Sequence, residues 1–340
     1  VKDKNNKIKV AILKALHDID GAAGASRISE VLAGAGINLQ PRTVRFYLLL
    51  LDKEGLTRFV TRRHGRQLTD RGREELAHSN VMEKVGFVAA KVDTLGYRMT
   101  FSLAKGTGTI ITNVALISKR DLSRSLVHME PVFARNLGMG QKIMIVREGH
   151  SIGGFKVPRD SVGFGTVCSV TVNGVMLDQG VPVTSRFGGL VEIRDGEPTR
   201  FVELIEYGGT TIDPLEAFIR AGMTQVRECA RTNSGIIGAS FREVPSVALD
   251  DVRRIRQEMN ALGLSGILAI GKPNRPLLDI PVAEGRTGMI VIGGLNPVAA
   301  IREAGIPVDV QSLAGLEDFE NFSSFKDVAH WTKPRDTYVE

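Results

Sequence analysis

Two sets of side chains in this 340-residue sequence have the types and spacing to do chemistry. The first is cationic: Arg42, Thr43 and Arg45 fall together, followed by Arg58, Arg62, Arg63 and Arg66. Guanidinium forks match phosphate oxygens and the acceptor edge of guanine, so this cluster reads as a nucleic-acid contact. The second set is rich in glycine and hydroxyls. Ser185-Arg186-Phe187-Gly188-Gly189 and Tyr207-Gly208-Gly209-Thr210-Thr211 flank strand-like stretches at 190–193 and 200–205. Asp213-Pro214 then caps and starts a helix over 215–221. Backbone N–H groups at such a helix start favour an anion, a carboxylate included, and Arg186 adds a bidentate clamp. A parallel case is Gly293-Gly294-Leu295-Asn296-Pro297, with Asn296 as cap. Tight turns packed for structural reasons explain the same glycines, and spacing alone does not choose.

Catalytic chemistry has little to stand on. There is no G-x-S-x-G, no H-E-x-x-H and no complete phosphate-binding loop, since Lys105-Gly106-Thr107-Gly108-Thr109 has the wrong order. The six histidines are scattered, so neither a metal site nor a catalytic residue is expected, and no cofactor. Cys168 falls in an apolar strand-like run, 166–172, and Cys229 in 226–230; both read as core residues rather than nucleophiles. Without a C-x-x-C spacing they make neither a disulfide framework nor a zinc site. No apolar run approaches the roughly 18–20 residues that cross a bilayer. The candidate at 289–300 is broken by Gly293, Gly294, Asn296 and Pro297, and the opening stretch Val1-Lys2-Asp3-Lys4-Asn5 is dominated by polar side chains. A reduced, cytoplasmic, membrane-free protein is the expectation.

The positioning elements divide with the charge. Residues 1–80 hold 15 basic and 9 acidic side chains, and residues 81–340 hold 29 of each. A basic head on a neutral body predicts two domains, 1–80 and 81–340, the first binding nucleic acid. In the head, helical spacing runs over 7–17 and breaks at 21–24. Ser26 caps a second helix that Gly34-Ala35-Gly36 ends. Pro41 opens a third, with Val44, Leu48 and Leu51 as its buried stripe. Residues 56–60 and 67–69 pair around the basic turn Arg62-Arg63-His64-Gly65-Arg66, and a short helix follows over 71–78. This is a winged helix-turn-helix. Off the stripe, Arg42, Thr43 and Arg45 face the base edges, and Arg58, Arg62, Arg63 and Arg66 the phosphates. Phe46 and Tyr47 are read as packing residues and His64 as a turn residue.

The body repeats itself. A helix over 121–137, a strand at 142–146 and Gly149, Pro158 and Pro182 return as a helix over 250–262, a strand at 266–270 and Gly271, Pro281 and Pro307. The landmark offsets are 122, 123 and 125, and 127 if Gly108 aligns with Gly235. The chain therefore reads as an α+β/α/β multidomain protein. A winged helix precedes an internally duplicated α/β domain, with repeats at about 97–190 and 225–315 around a pseudo-twofold. Small-molecule sites favour the junction of such lobes. The arginines at 253, 254 and 256 read as a solvated helix face.

Longer motifs carry a resemblance. The run 161–192, the segment from Phe201 through Tyr207-Gly208-Gly209-Thr210-Thr211 to Leu215, Ser240-Phe241-Arg242-Glu243-Val244-Pro245 and Val291-Ile292-Gly293-Gly294-Leu295-Asn296-Pro297 resemble the regulatory domain of the nitrogen-regulatory repressors (NrpR) of methanogenic archaea. The head matches that family and is similar to the winged helix attached to ribonuclease R. The resemblance implies a transcriptional repressor of nitrogen-assimilation genes. It would bind double-stranded operator DNA as a homo-oligomer, a dimer or larger even assembly, and be released by 2-oxoglutarate. The effector contacts offered for a small dicarboxylate come from anion chemistry, not from the family: Arg186, Gly188, Gly189, Tyr207, Gly208, Gly209, Thr210 and Thr211. The other reading is a small-molecule enzyme with an auxiliary winged helix that binds nucleic acid. It requires an acid–base pair or nucleophile with a shifted pKa in the cleft.

Overall fold

The computed structural model describes residues 2–19, 21–34, 37–79 and 86–328. The chain divides into two compact units, Val1–Lys84 and Val85–Glu340. The expected boundary at 80/81 and the helix-ending Ala35-Gly36 lie outside the described residues.

The first unit runs α1 (Lys2–Ile19), α2 (Ala25–Gly34), α3 (Pro41–Lys53), β1 (Thr57–Thr61), β2 (Gly65–Leu68) and α4 (Asp70–Ser79). The helix start expected at Ser26 lies one residue inside α2. Ile12, Leu16, Ile28, Val44, Leu48 and Leu51 close its core. β1 and β2 pair antiparallel, and Ala23 extends the hairpin by bonding the Arg66 backbone in both directions, at 2.8 and 3.0 Å. Gly65 permits this: its φ is +85°, and a Cβ there would stand 2.1 Å from the Ala23 carbonyl oxygen. Thr69 Oγ1 accepts the Gly72 N–H at 2.9 Å and starts α4.

The second unit begins with α5 (Phe87–Arg98), β3 (Thr109–Ser118), α6 (Leu122–Ala134), β4 (Lys142–Arg147) and a small hairpin, β5 (Ser151–Ile152) and β6 (Phe155–Lys156). β7 (Ser161–Val167), α7 (Thr171–Asp178), β8 (Thr184–Arg194), β9 (Glu197–Glu206), α8 (Pro214–Arg220) and α9 (Val226–Thr232) follow. Then come β10 (Gly235–Pro245), α10 (Leu249–Ala261), β11 (Ile267–Ile270), β12 (Arg286–Ile292), α11 (Asn296–Glu303), β13 (Asp309–Asp318), β14 (Ser323–Ser324) and α12 (Phe325–Val328). Two five-stranded sheets result, ordered β13-β3-β7-β4-β14 and β11-β12-β10-β8-β9. β7 and β12 sit inside them, which is why both are apolar almost without interruption.

The order β3-α6-β4-β7-α7-β8 recurs as β10-α10-β11-β12-α11-β13. Each set is a split β-α-β arrangement: α6 joins β3 to β4 with β7 inserted between them, and α10 joins β10 to β11 around β12. The last strand of each set crosses to the other sheet, β8 onto β10 and β13 onto β3. Neighbouring strands in both sheets are antiparallel among the described pairs. The unit is thus α+β, which corrects the α/β expectation. An inserted strand separates the strands that each helix connects, so they never pair in parallel.

The two helices after the inserted strands are fastened alike. Thr171 Oγ1 donates to the Ile111 carbonyl at 3.2 Å and accepts the Ile111 N–H at 3.3 Å. Asn296 Oδ1 accepts the Gly238 N–H at 2.9 Å, and its Nδ2 donates to the Gly238 and Leu137 carbonyls. Asn296 is therefore buried and fully bonded inside α11, not a cap awaiting an anion, and that part of the sequence reading is corrected. Cys168 lies in the turn between β7 and α7 rather than in a strand.

Candidate functional site

α3 presents Arg42, Arg45, Phe46 and Leu49 to solvent at helical spacing, while Val44, Tyr47, Leu48 and Leu51 face inward. Thr43 is half-buried beside them. Tyr47 packs as expected, but Phe46 does not: it is 57% exposed and meets Tyr47 edge to face at 5.5 Å. The exposed face thus combines two guanidiniums with two apolar groups. Guanidiniums read guanine, and apolar side chains read the thymine methyl.

In the hairpin, Arg58, Arg62 and Arg63 are exposed. His64 closes the turn, as its N–H donates to Thr61 Oγ1 at 3.0 Å and its Nδ1 lies 2.8 Å from the same oxygen. Arg66 behaves differently. Its Nε donates to Asp52 Oδ2 at 2.6 Å, and its guanidinium lies 5.5 Å from the Phe59 ring centre. Asp52 also accepts from Thr57 Oγ1 at 2.6 Å. Arg66 ties the wing to α3, so it orients the other cations instead of standing among them.

Among the body's expected effector residues, Arg186 is already committed within the fold. Arg186 Nη1 donates to Glu243 Oε1 at 2.6 Å and to the Pro281 carbonyl at 3.3 Å. Glu243 is buried, and Arg286 approaches its other oxygen at 3.9 Å. Arg186, Gly188 and Gly189 belong to β8, not to a loop. A Cβ on Gly188 would stand 2.6 Å from Pro214 Cβ, and one on Gly189 2.5 Å from the Glu203 carbonyl oxygen. Both glycines admit close packing. Tyr207 is buried in a small apolar cluster with Val88, Val92 and Leu95, and burial pushes its phenol pKa up.

After the Gly208-Gly209 pair, Thr210 Oγ1 donates to the Ile212 carbonyl at 2.6 Å and accepts the Ile212 N–H at 3.3 Å. Asp213 caps α8 as its sequence suggests, Oδ1 accepting the Leu215 and Glu216 N–H groups at 3.0 and 3.2 Å. An external anion would have to displace this carboxylate. The start of α8 and the Arg186 guanidinium are thus already engaged within the fold.

That cap is itself a titratable feature. Burial pushes Asp213 up to about 6, against the two N–H bonds that favour its charged form. The folded chain therefore holds this proton more tightly than the unfolded chain. Stability falls as pH rises from about 4 to about 6 and stays lower above that. Asparagine caps as well as aspartate and carries no charge. Because Asp213 keeps part of its surface in water, Asp213→Asn should stabilise the body at pH 7.5 by about 1–2 kcal/mol, and hardly at pH 4. Thermal unfolding of both chains at the two pH values checks this; parallel pH profiles would contradict it.

Sequence reasoning missed Arg242. It is fully buried on β10, and its Nη1 and Nη2 donate to the Ser169 carbonyl at 2.9 Å, to Ser169 Oγ at 3.1 Å and to Asn173 Oδ1. Its Nε has no partner among the described residues, and burial lowers its pKa. The available signal was an arginine at an inward position between Phe241 and Glu243. Burial also pushes the thiols of Cys168 and Cys229 up to about 12 and about 11. Neither is an activated nucleophile. Among the described residues no His, Cys, Asp and Glu group is placed to hold a metal, and no helix is long and apolar enough to cross a membrane.

Two family models match the chain. Residues 10–76 match the ribonuclease R winged-helix domain, and residues 85–324 match the NrpR regulatory domains NRD1 and 2. The chain is 30% identical over 92% of its length to the global nitrogen regulator NrpRI of Methanosarcina mazei, covering 95% of that protein. It is 27% identical over 93% of its length to the global nitrogen regulator NrpR of Methanococcus maripaludis, of which it spans only 55%. A crystal structure of a nitrogen repressor-like protein from Methanococcus jannaschii superposes with a TM-score of 0.59 at 28% identity, over 69% of this chain and 97% of that one. With one regulatory-domain match and a winged helix before it, this chain belongs to the NrpR family.

Proposed function

We propose that the chain is a transcriptional repressor of nitrogen-assimilation genes, a regulator rather than an enzyme. It binds operator DNA in the cytoplasm as a homo-oligomer and leaves it when a small effector such as 2-oxoglutarate accumulates. The observation that carries the reading is the solvent face of α3, with Arg42 and Arg45 exposed on a wing-bearing unit whose Arg62 and Arg63 are also exposed. The relatives' names supply the process.

We read the body as a duplication whose halves exchange their last strands. The matched element order and the paired Thr171 and Asn296 fastenings support this. Two such bodies related by a twofold would present two heads to half-sites about 10–10.5 base pairs apart, or a multiple of that. Footprinting of the full chain on nitrogen-assimilation promoters tests the reading. Two protected half-sites at such a spacing are expected; a single asymmetric half-site or no protection would contradict it.

A further inference from the structure

A ligand with negative charge needs donors that the fold has left unused, and the body holds such a set. It lies where the turn between α6 and β4 meets the turn between α10 and β11, in a cleft of about 420 Å3. Asn136, Gln141, Arg256, Asn260 and Ser265 line its polar side, Ile267 its aliphatic side, and its lining contains no Asp or Glu. The volume is in the range of small-molecule sites.

Arg256 is the cation that α10 does not neutralise. Arg253 pairs with Asp250 at 2.9 Å, and Arg254 with Asp251 at 3.4 Å and Glu258 at 3.0 Å. That commits every acid on α10. Arg256, half-buried, has no ion-pair or hydrogen-bond partner among the described residues. The expected solvated face therefore holds for two arginines and not for the third.

Ser265 is a second, independent sign. Its Oγ is shielded from solvent and has no hydrogen-bond partner among the described residues. A buried hydroxyl left unpaired is unfavourable, and a turn of χ1 toward the cleft would let a bound acceptor satisfy it. The walls are held in place without a ligand. Gln141 N–H donates to the Gly263 carbonyl at 3.1 Å, Gln141 Nε2 donates to Asn136 Oδ1 at 2.6 Å, and Ile292 N–H donates to the Gly266 carbonyl at 2.8 Å.

We propose that this cleft binds a small aliphatic carboxylate, with Arg256 clamping the carboxylate and Ser265 Oγ donating to one of its oxygens. The inference rests on the reading that the body senses a small anion, and it moves the site away from Arg186. One wall comes from the first half of the body and the other from the second, so occupancy can bias how the halves sit.

Calorimetry on the full chain tests the site, with 2-oxoglutarate, glutarate, succinate and inorganic phosphate as probes. Wild type is expected to bind at least one of the carboxylates at one site per chain. Arg256→Gln should weaken that binding about tenfold or more, and Ser265→Ala several-fold. Arg254→Gln and Arg186→Ala should leave it unchanged, and thermal unfolding reports whether each variant is folded. Equal binding by Arg256→Gln and wild type overturns the placement and leaves the sensing reading intact. Binding of phosphate alone overturns the carboxylate assignment. No heat from any probe, in protein that still binds DNA, overturns both the site and the sensing reading.

Discussion

Arg42→Ala and Arg45→Ala should each cost about 1–3 kcal/mol of operator affinity and relax the choice of sequence. Both side chains leave the exposed face of α3, and neither has an ion-pair partner among the described residues, so each is available to a base edge. Arg62→Ala or Arg63→Ala should act differently. These side chains sit at the exposed tip of the wing, and removing one weakens binding to every sequence alike. The slope of log affinity against log salt should flatten by about 0.9 for each phosphate that is no longer neutralised. Fluorescence anisotropy between about 50 and 200 mM salt separates the two classes. If all four variants bind more weakly with the same salt slope, the division into base and phosphate contacts is wrong. Arg66→Ala belongs to neither class, because it releases the Asp52 anchor and loosens the whole wing.

The second large effect lies in the body. Arg242→Ala should destabilise it by about 3–5 kcal/mol, through a buried cavity and the stranded acceptors of Ser169 and Asn173. Arg242 joins β10, in one sheet, to the turn and helix α7 that follow β7, in the other. Its removal should therefore loosen that join as well as weaken the core. Arg242→Met keeps much of the volume and removes a buried charge that forms no ion pair among the described residues, so it should cost less than alanine. Thermal unfolding of both variants measures the difference. An alanine variant as stable as wild type would show that the buried guanidinium carries no structural weight.

What the sequence made legible follows from what short-range pattern encodes. The head could be read nearly whole because its helices, Pro41 start and hairpin are local, and a helical stripe such as Val44, Leu48 and Leu51 declares its own buried side. Phe46 misleads because an aromatic beside a buried Tyr47 resembles core, whereas the helical period places it outward. Asp213 is legible as a cap, since a cap is set by its immediate neighbours. Whether that cap is occupied is not, because hydrogen bonds already spent leave no trace in spacing. Strand exchange is hidden for a related reason. Pro182 and Pro307 mark the start of β8 and β13 at a constant offset, whichever sheet those strands join. The pairing of Arg253 and Arg254, and the isolation of Arg256, are consequences of side-chain direction that the arginine run does not reveal.

The most direct measurement is the affinity of the full chain for an operator-containing duplex, by anisotropy at fixed salt, while 2-oxoglutarate is titrated in. An effector works only if it binds the DNA-competent and released states unequally. A coupling of about 1–3 kcal/mol would weaken operator binding roughly 5–150-fold. Saturable release in that range is expected, together with clear preference for operator over a scrambled duplex. Operator binding that does not respond to 2-oxoglutarate, or that does not distinguish the two duplexes, would contradict that expectation.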